Sequence, residues 1–494
     1  MSDGPMGPGP AEVAVLLPLL GAALAFVAPR QARGIGLAAG LATAGTGAWL
    51  LAQVGGGAPV SLPLGGWAAP LGIGLRADGL SALMVAMIGL VGLGVAAQAG
   101  RGLPASTPGG VAARAFWPLW MLLLGGLNAL YLSGDLFNLY VTLELVSFAA
   151  VGLTALSGKP AAFRAAMRYL FVGLLASLLY LLGVTLLYAR YGVLDIAAAR
   201  AAMTPEPVAA LAMAAMFGGL ALKTALVPLH VWLPPAHGNA IAPASALLSA
   251  LVVKASFYLM LRLWFDLFAP AGVATEAAGL LLGALGAVAI LWGSVQAILA
   301  DRLKLLVAYS TVAQIGYFFL AFPLDGVTAG PGWQGAVYLA LAHAFAKAAI
   351  FLCCDLVRDR LGHDRIRDLT SSSSLPRVTQ LTLALAAVSL IGLPPSGGFI
   401  GKWLLLGASL EDGFSVWTAV IMAGTLLSAA AMMRVLVRFF AAQPDGEGAT
   451  GGGDPSGTAA RGVDAVPFAL AAAAIALGFA AVWILPVLNV GGAG

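Results

Sequence analysis

The sequence predicts an all-α protein threaded many times through a membrane, and three observations predict it. Hydrophobic residues make up 61% of the 494 and charged residues only 9%. Apolar runs of the ~20 residues that a membrane helix needs recur from near the N-terminus to the end. Basic residues gather in alternate loops, as cytoplasmic retention of Lys and Arg dictates.

Taken in order, fourteen apolar segments begin near Ala11, Gly34, Asp78, Ala115, Asp135, Phe163, Pro207, Asn239, Val273, Arg302, Trp333, Val378, Phe414 and Val466. The odd-numbered loops between them carry seventeen of the 25 Lys and Arg, from Arg30 and Arg33 to Arg438 and Arg461. The even loops and their edges carry Arg76, Arg190, Arg200 and Arg262. Both termini are therefore expected outside, with odd loops in the cytoplasm, in a multi-pass protein of the cell inner (cytoplasmic) membrane. The net charge of +4 follows from this loop bias and gives no reason to expect nucleic acid as a partner. The opening "MSDGPMGPGP" has no basic n-region, so no signal peptide is expected.

Other function classes fall away on residue types. Cys353 and Cys354 are adjacent on an apolar helix, so they can build neither a disulfide framework nor a cluster site. The four histidines lack metal-ligand spacing, and "LKT" at Lys223 lacks the preceding glycine of a phosphate-binding loop. No metal, no bound cofactor and no catalytic site of the chain's own are expected. The stretch 441–465, rich in Gly, Ala and Asp, reads as a flexible cytoplasmic linker before the last helix, and the charged loop 358–377 as a solvated positive-inside loop.

Two segments are interrupted. In "GGLALKTALVPLHVWLPPAH", Pro228 offers no N–H to the carbonyl of Thr224, so the seventh helix kinks or stops about one turn after Lys223. In "LIGLPPSGGFIGKWLLL", Pro394 and Pro395 followed by Gly397 and Gly398 break the twelfth, with Lys402 just beyond. The freed carbonyls of Leu390 and Ile391 need a donor, and water in a hydrated pocket beside Lys402 is the expected one. A broken helix with a lysine beside it in each half is the pattern of structural repeats that form an ion site near the midplane. They are set at 115–268 and 273–440, after an N-terminal block of three helices (1–114) and before the linker and a last helix (466–494).

Of only six lysines, Lys223, Lys254, Lys347 and Lys402 fall within membrane segments. Each costs ~2.5 to 3.5 kcal/mol at a helix centre, so something offsets the cost. Glu144 is the one glutamate deep in an apolar helix and can pair with one of them. Arginine keeps its proton under biological conditions, whereas lysine can lose it. Burial favours neutral lysine and a nearby carboxylate favours the charged form, so a lysine series with one movable carboxylate can relay protons. His343 and Lys347, four apart, share a helix face, and the imidazole can hand a proton along the row. His230 and His237 flank the first break near the cytoplasmic mouth, and His237 is expected to be a satisfied structural residue. Snorkelling to the interface has some weight for Lys402 and little for Lys254, which lies about fifteen residues into its segment. Ser133, Asp135 and Arg168 sit at helix ends and read as capping or interfacial residues.

"GDLFNLYVTLEL", "LKTALVPLHVWLPPAH", "SALLSALVVKASFY", "HAFAKA" and "GLPPSGGFIGKW" together resemble the antiporter-like subunits shared by multisubunit Mrp cation/proton antiporters, respiratory complex I and membrane-bound hydrogenases. The similarity spans essentially the whole membrane region. It implies fourteen helices with inverted repeats of helices four to eight and nine to thirteen and discontinuous helices seven and twelve. It also implies a Glu144–Lys223 ion pair, Lys254 as central relay, and Lys402 as exit-side proton donor or acceptor. "DLFNLYV" looks most like the Mrp D-type subunit, while "AHGNAIAPASALLSALVVKASFY" is as similar to hydrogenase-type and complex I-like members. The long lateral helix of the largest members is not expected.

The expected function is proton translocation in a multisubunit cation/proton antiporter, with other membrane subunits as partners and cytoplasmic Na⁺ exchanged for external H⁺. The same module in a redox-driven complex is the alternative. A scaffold without transport fits poorly with so many buried ionisable groups, and an independent permease fits poorly with a family whose members work with partners.

Overall fold

A computed structural model describes residues 9–67, 72–103, 110–369, 375–411, 413, 415–440 and 465–491. The expected linker, apart from Ala465, lies outside these residues, as does 370–374 of the charged loop. In chain order the first helices are α1 (Pro10–Val27) and α2 (Ala32–Val54), followed by a hairpin of β1 (Val60–Pro63) and β2 (Gly74–Ala77). Next come α3 (Gly79–Gly102), α4 (Val111–Leu132), α5 (Leu136–Ala155), α6 (Pro160–Tyr191), the short α7 (Ile196–Ala202), α8 (Pro207–Thr224) and the short α9 (Leu233–Asn239). The second half holds α10 (Ala242–Phe268), α11 (Glu276–Leu299), α12 (Leu303–Asp325) and α13 (Pro331–Leu361). It ends with α14 (Arg377–Ile391), α15 (Gly397–Leu410), α16 (Val416–Phe440) and α17 (Ala465–Leu488).

Among the described residues thirteen helices are long and apolar enough to cross a membrane. The two shorter apolar helices, α14 and α15, lie on either side of the second break. The hairpin was not expected: its strands are four residues each and bounded by Pro and Gly, too short for an alternating pattern to stand out.

The apolar windows of α10 and α13 are wholly buried, whereas most of α17 is open at the periphery. A helix that is apolar all round has to be surrounded by other helices or by lipid, and these two are surrounded by helices. Small residues permit the approach: a Cβ on Gly401 of α15 would stand 2.7 Å from the Leu339 backbone nitrogen of α13.

Contacts between loops define two ends. At one, Arg302 bridges Arg365, Ser157 Oγ donates to the Asn239 carbonyl at 3.2 Å, and Arg438 donates to the Arg367 carbonyl at 3.0 Å. This is the arginine-rich end expected in the cytoplasm. At the other, Leu75 bridges Ser133, Asp135 bridges Asp195, and Gly79 N donates to the Val490 carbonyl at 2.9 Å. Asp78 caps α3 there, accepting from Ser81 N at 3.0 Å. Burial pushes its carboxyl up, but the Arg262 charge and hydrogen bond, with Ser81 and Arg76, outweigh this and hold it below the usual carboxylate value.

Candidate functional site

The first break positions Lys223. Helix α8 ends at Thr224, one residue past the lysine and earlier than the one-turn spacing expected from Pro228, because Ala225 turns left-handed with φ of 62°. Such a conformation costs a non-glycine residue ~1 to 2 kcal/mol. Two hydrogen bonds hold it: Leu226 N donates to the Ala221 carbonyl at 3.0 Å, and Trp232 Nε1 to the Leu222 carbonyl at 2.9 Å. Trp232 is fixed in turn by stacking on Tyr169, ring centres 4.2 Å apart. Lys223 thus lies in the last turn of its helix, where a cation meets the negative end of the backbone dipole.

The structure brings Lys223 and Glu144 together. Lys223 Nζ lies 3.3 Å from Glu144 Oε1 and also donates to Ser147 Oγ, while Ser177 Oγ donates to Glu144 Oε1. The lysine side chain is 5% exposed and the glutamate 15%. A carboxylate, an ammonium and two hydroxyls close a charge-neutral group on α5, α6 and α8.

Further along the row, Lys254 of α10 and His343 of α13 are in contact. Lys254 Nζ lies 2.8 Å from His343 Nδ1 and donates to the Ser249 carbonyl at 2.8 Å. His343 and Lys347 sit on one face of α13, but Lys347 makes its own contacts, donating to the Val307 carbonyl at 2.7 Å and to Ser310 Oγ. Both lysines are essentially unexposed, so neither snorkels. Turns of π-helix, Leu248–Val252 and Leu263–Phe268, interrupt α10 on either side of Lys254; such turns are frequent at functional sites.

At the second break the structure corrects an expectation. Lys402 is 5% exposed and does not snorkel. Its Nζ donates to the Ile391 carbonyl at 2.8 Å and the Leu390 carbonyl at 3.4 Å, and lies 4.4 Å from the ring centre of Tyr317. Gln314 Nε2 also donates to the Leu390 carbonyl, at 2.8 Å. The carbonyls freed by Pro394 and Pro395 are therefore satisfied by side chains, where water was expected. The lysine reaches them because α15 folds back along α14 at the break.

Helix α12 is the element that residue-by-residue inspection of charges missed. Ser310, Gln314 and Tyr317 fall on one face, and they serve Lys347, the second break and Lys402 respectively. Polar residues at i, i+4 and i+7 in an otherwise apolar helix were the available signal. Lys304 was also missed, having been counted with the loops. It is 3% exposed at the start of α12, donates to the Ala240 carbonyl and lies 3.9 Å from Asp355. Asp355 Oδ2 accepts from Ala242 N at 2.8 Å, tying α13 to the start of α10.

Two further placements differ from expectation. His237 is fully buried and stacked on Phe351, ring centres 4.7 Å apart, but neither ring nitrogen has a hydrogen-bond partner among the described residues. Among the described residues it is held by ring stacking and not by a hydrogen bond. Arg262, counted at a loop edge, is inside α10 and ion-paired with Asp78 and Asp266. His230 is half-buried at the first break and stays apart from the row. Asp135 caps α5, accepting from Asn138 N at 2.7 Å. Among the described residues no cluster of His, Cys, Asp and Glu could hold a metal.

The row as a whole crosses the molecule through α5, α8, α10, α13 and α15, with α12 lining its second half. Its groups are of the kind that hold and release protons. The family described as "NADH:quinone oxidoreductase/Mrp antiporter, TM" matches residues 133–437, which contain every member of the row. The NADH-quinone oxidoreductase subunit N of Desulforudis audaxviator is 36% identical over 430 residues, 85% of this chain and 84% of that one. A probable K⁺/H⁺ antiporter protein of Rhizobium meliloti, of the D type, is 32% identical over 426 residues, 78% of this chain and 76% of that one. Among solved structures, a chain of the membrane-bound sulfane sulfur reductase, an archaeal respiratory membrane complex, superposes with a TM-score of 0.87 at 25% identity, covering 97% of this chain and 96% of that one. With most of its length so matched, this chain belongs to the NADH:quinone oxidoreductase/Mrp antiporter transmembrane family.

Proposed function

We propose that this chain is the proton-translocating subunit of a multisubunit cation/proton antiporter of the cell inner membrane, exchanging cytoplasmic Na⁺ for external H⁺. The single observation that carries the reading is the buried row itself: one carboxylate–ammonium pair at Glu144 and Lys223, then Lys254 and His343 in contact with each other, and Lys347 and Lys402 held, among the described residues, by carbonyls, a hydroxyl and a ring. Keeping that many amines from water costs several kcal/mol each if they stay charged, which is an expensive arrangement for a scaffold and a useful one for groups that exchange protons. In this reading the Glu144–Lys223 pair switches the row, Lys254 and His343 pass the proton on, and Lys402 ends it. The stretches 115–268 and 273–440 act as its two repeats. Membrane subunits of the same assembly are the partners, and Na⁺ is the cation.

The 36% identical relative, named as an NADH-quinone oxidoreductase subunit, favours a second reading in which the same row serves a redox-driven complex whose electrons run through other subunits. Gentle purification with identification of the co-purifying chains separates the two. Small companion membrane subunits and ΔpH-driven Na⁺ exchange in proteoliposomes are expected. Hydrophilic cluster-binding subunits would replace the first reading by the second, and an assembled complex with neither property would overturn both.

A further inference from the structure

Lys254, Tyr258, Arg262 and Asp266 follow one another at four-residue spacing on α10. They share a face and reach over ~18 Å from mid-helix to the end opposite the arginine-rich loops. Tyr258 Oη accepts from Arg262 Nε at 2.9 Å and donates to the Tyr131 carbonyl at 2.6 Å. The Tyr131 ring meets Tyr258 edge-on at 4.6 Å, and its own hydroxyl, buried, has no hydrogen-bond partner among the described residues. Arg262 is clamped on both sides: Nη2 binds Asp78 Oδ1, and Nη1 lies 3.1 Å from Asp266 Oδ2. The second oxygen of Asp78, 3.8 Å from Arg76 Nε, makes no hydrogen bond there.

A cavity of about 490 Å³ opens beside this cluster, bounded by the hairpin, Ser133, Asp195, Tyr258, Arg262 and Asp266. Its rim includes the exposed Ser61 and Pro63, so it is open at that end, while Tyr258, one helical turn from Lys254, lines it within the helix. In the present arrangement Lys254 is turned the other way, onto the Ser249 carbonyl and His343.

We propose that this cavity is the outward proton port of the subunit and that Arg262, held between Asp78 and Asp266, is its gate. The inference rests on the lysine-row reading above and adds the place and the closure of its mouth to the outside, which meets the row at Lys254. When the neutral Lys254 amine swings from Ser249 toward Tyr258, a proton from water in the cavity passes to it through hydroxyls and water, leaving an ammonium that turns back onto the row. Tyr258 and Tyr131 can each accept one proton on oxygen and give up another, so neither gains charge. Arg262 keeps its own proton and takes no part in the transfer. It blocks the route by position and fixed charge until its ion pairs let it move.

The test uses the purified complex, with its partner subunits, in proteoliposomes. Arg262→Gln is expected to raise passive proton conductance by about tenfold, the effect of lowering a barrier by ~1.4 kcal/mol. Adding Lys254→Ala is expected to abolish that rise. Unchanged conductance in an assembled Arg262→Gln complex overturns the gate, and a rise that survives Lys254→Ala overturns the route. If Arg262→Gln prevents assembly, Asp266→Asn, which releases one side of the Arg262 clamp, takes its place with the same outcomes. Ala197→Cys at the cavity wall, with Cys353→Ser and Cys354→Ser, is expected to react with a membrane-impermeant thiol reagent from outside; reaction only from the cytoplasmic side overturns the port. Full transport by Lys254→Ala alone would instead defeat the lysine-row reading.

Discussion

The two ends of the lysine row solve one problem differently. Lys223 is neutralised by a charge, the Glu144 carboxylate, with hydroxyls from Ser147 and Ser177 closing the group. Lys402 has no carboxylate within ion-pair distance among the described residues and is held by two backbone carbonyls and the face of a tyrosine ring. A full charge attracts an ammonium strongly and can be withdrawn by moving one side chain, whereas dipoles and a ring give a weaker hold that is fixed to the backbone. The first end is thus suited to switching and the second to a steady, shallow well. The lesson is that equally buried lysines are not equivalent: the partner decides what each can do.

The largest effect is expected where the partner is a charge. Breaking a buried pair by removing one member costs about 3 to 5 kcal/mol, so Glu144→Ala is expected to cut ΔpH-driven exchange in proteoliposomes by ~100-fold or more. The complex should still assemble, and near-normal exchange would erase the distinction between the two ends. At the centre, Lys254→Arg keeps the charge but not a proton that can leave. General acid–base groups contribute ~100-fold or more, so the arginine variant is expected to lose transport as Lys254→Ala does. Restored transport with arginine would mean that a fixed charge suffices. The smallest effect belongs to the dipole-held end. A desolvated cation–π contact is worth ~2 kcal/mol, so Tyr317→Leu is expected to lower the transport rate by roughly thirtyfold at most. Tyr317→Phe, which keeps the ring, should stay near wild type, and equal losses in both would assign the effect to the hydroxyl, which lies 3.5 Å from Thr425 Oγ1.

Charges were legible in the sequence because a lysine or glutamate inside an apolar run has no cheap explanation. Glu144, Lys223, Lys254, Lys347 and Lys402 were found that way, as were both breaks, since proline removes a donor wherever it stands. Ser147, Ser177 and Ser310 were not, because a hydroxyl in a membrane helix can satisfy itself on its own backbone; Ser147 and Ser310 also donate to carbonyls of their own helices. Which donor reaches a freed carbonyl depends on how α14 and α15 fold against each other, and pattern along one helix does not contain that. Lys304 and Arg262 were misplaced for a related reason. They lie within a turn or two of helix ends, where the same sequence suits a solvated loop or a buried pair, and only the neighbours Asp355 and Asp78 decide.

At the second break the Lys402 ammonium stands in for the backbone donors that Pro394 and Pro395 lack. Charge-assisted hydrogen bonds are about twice as strong as neutral ones, so loss of a proton from Lys402 loosens the seam between α14 and α15 at the point where the chain turns. Gln314 of α12 remains on the Leu390 carbonyl and keeps the seam from parting. Protonation and helix alignment are then one coordinate: a proton arriving at Lys402 tightens a mechanical joint, and a proton leaving slackens it, with α12 as the fixed post.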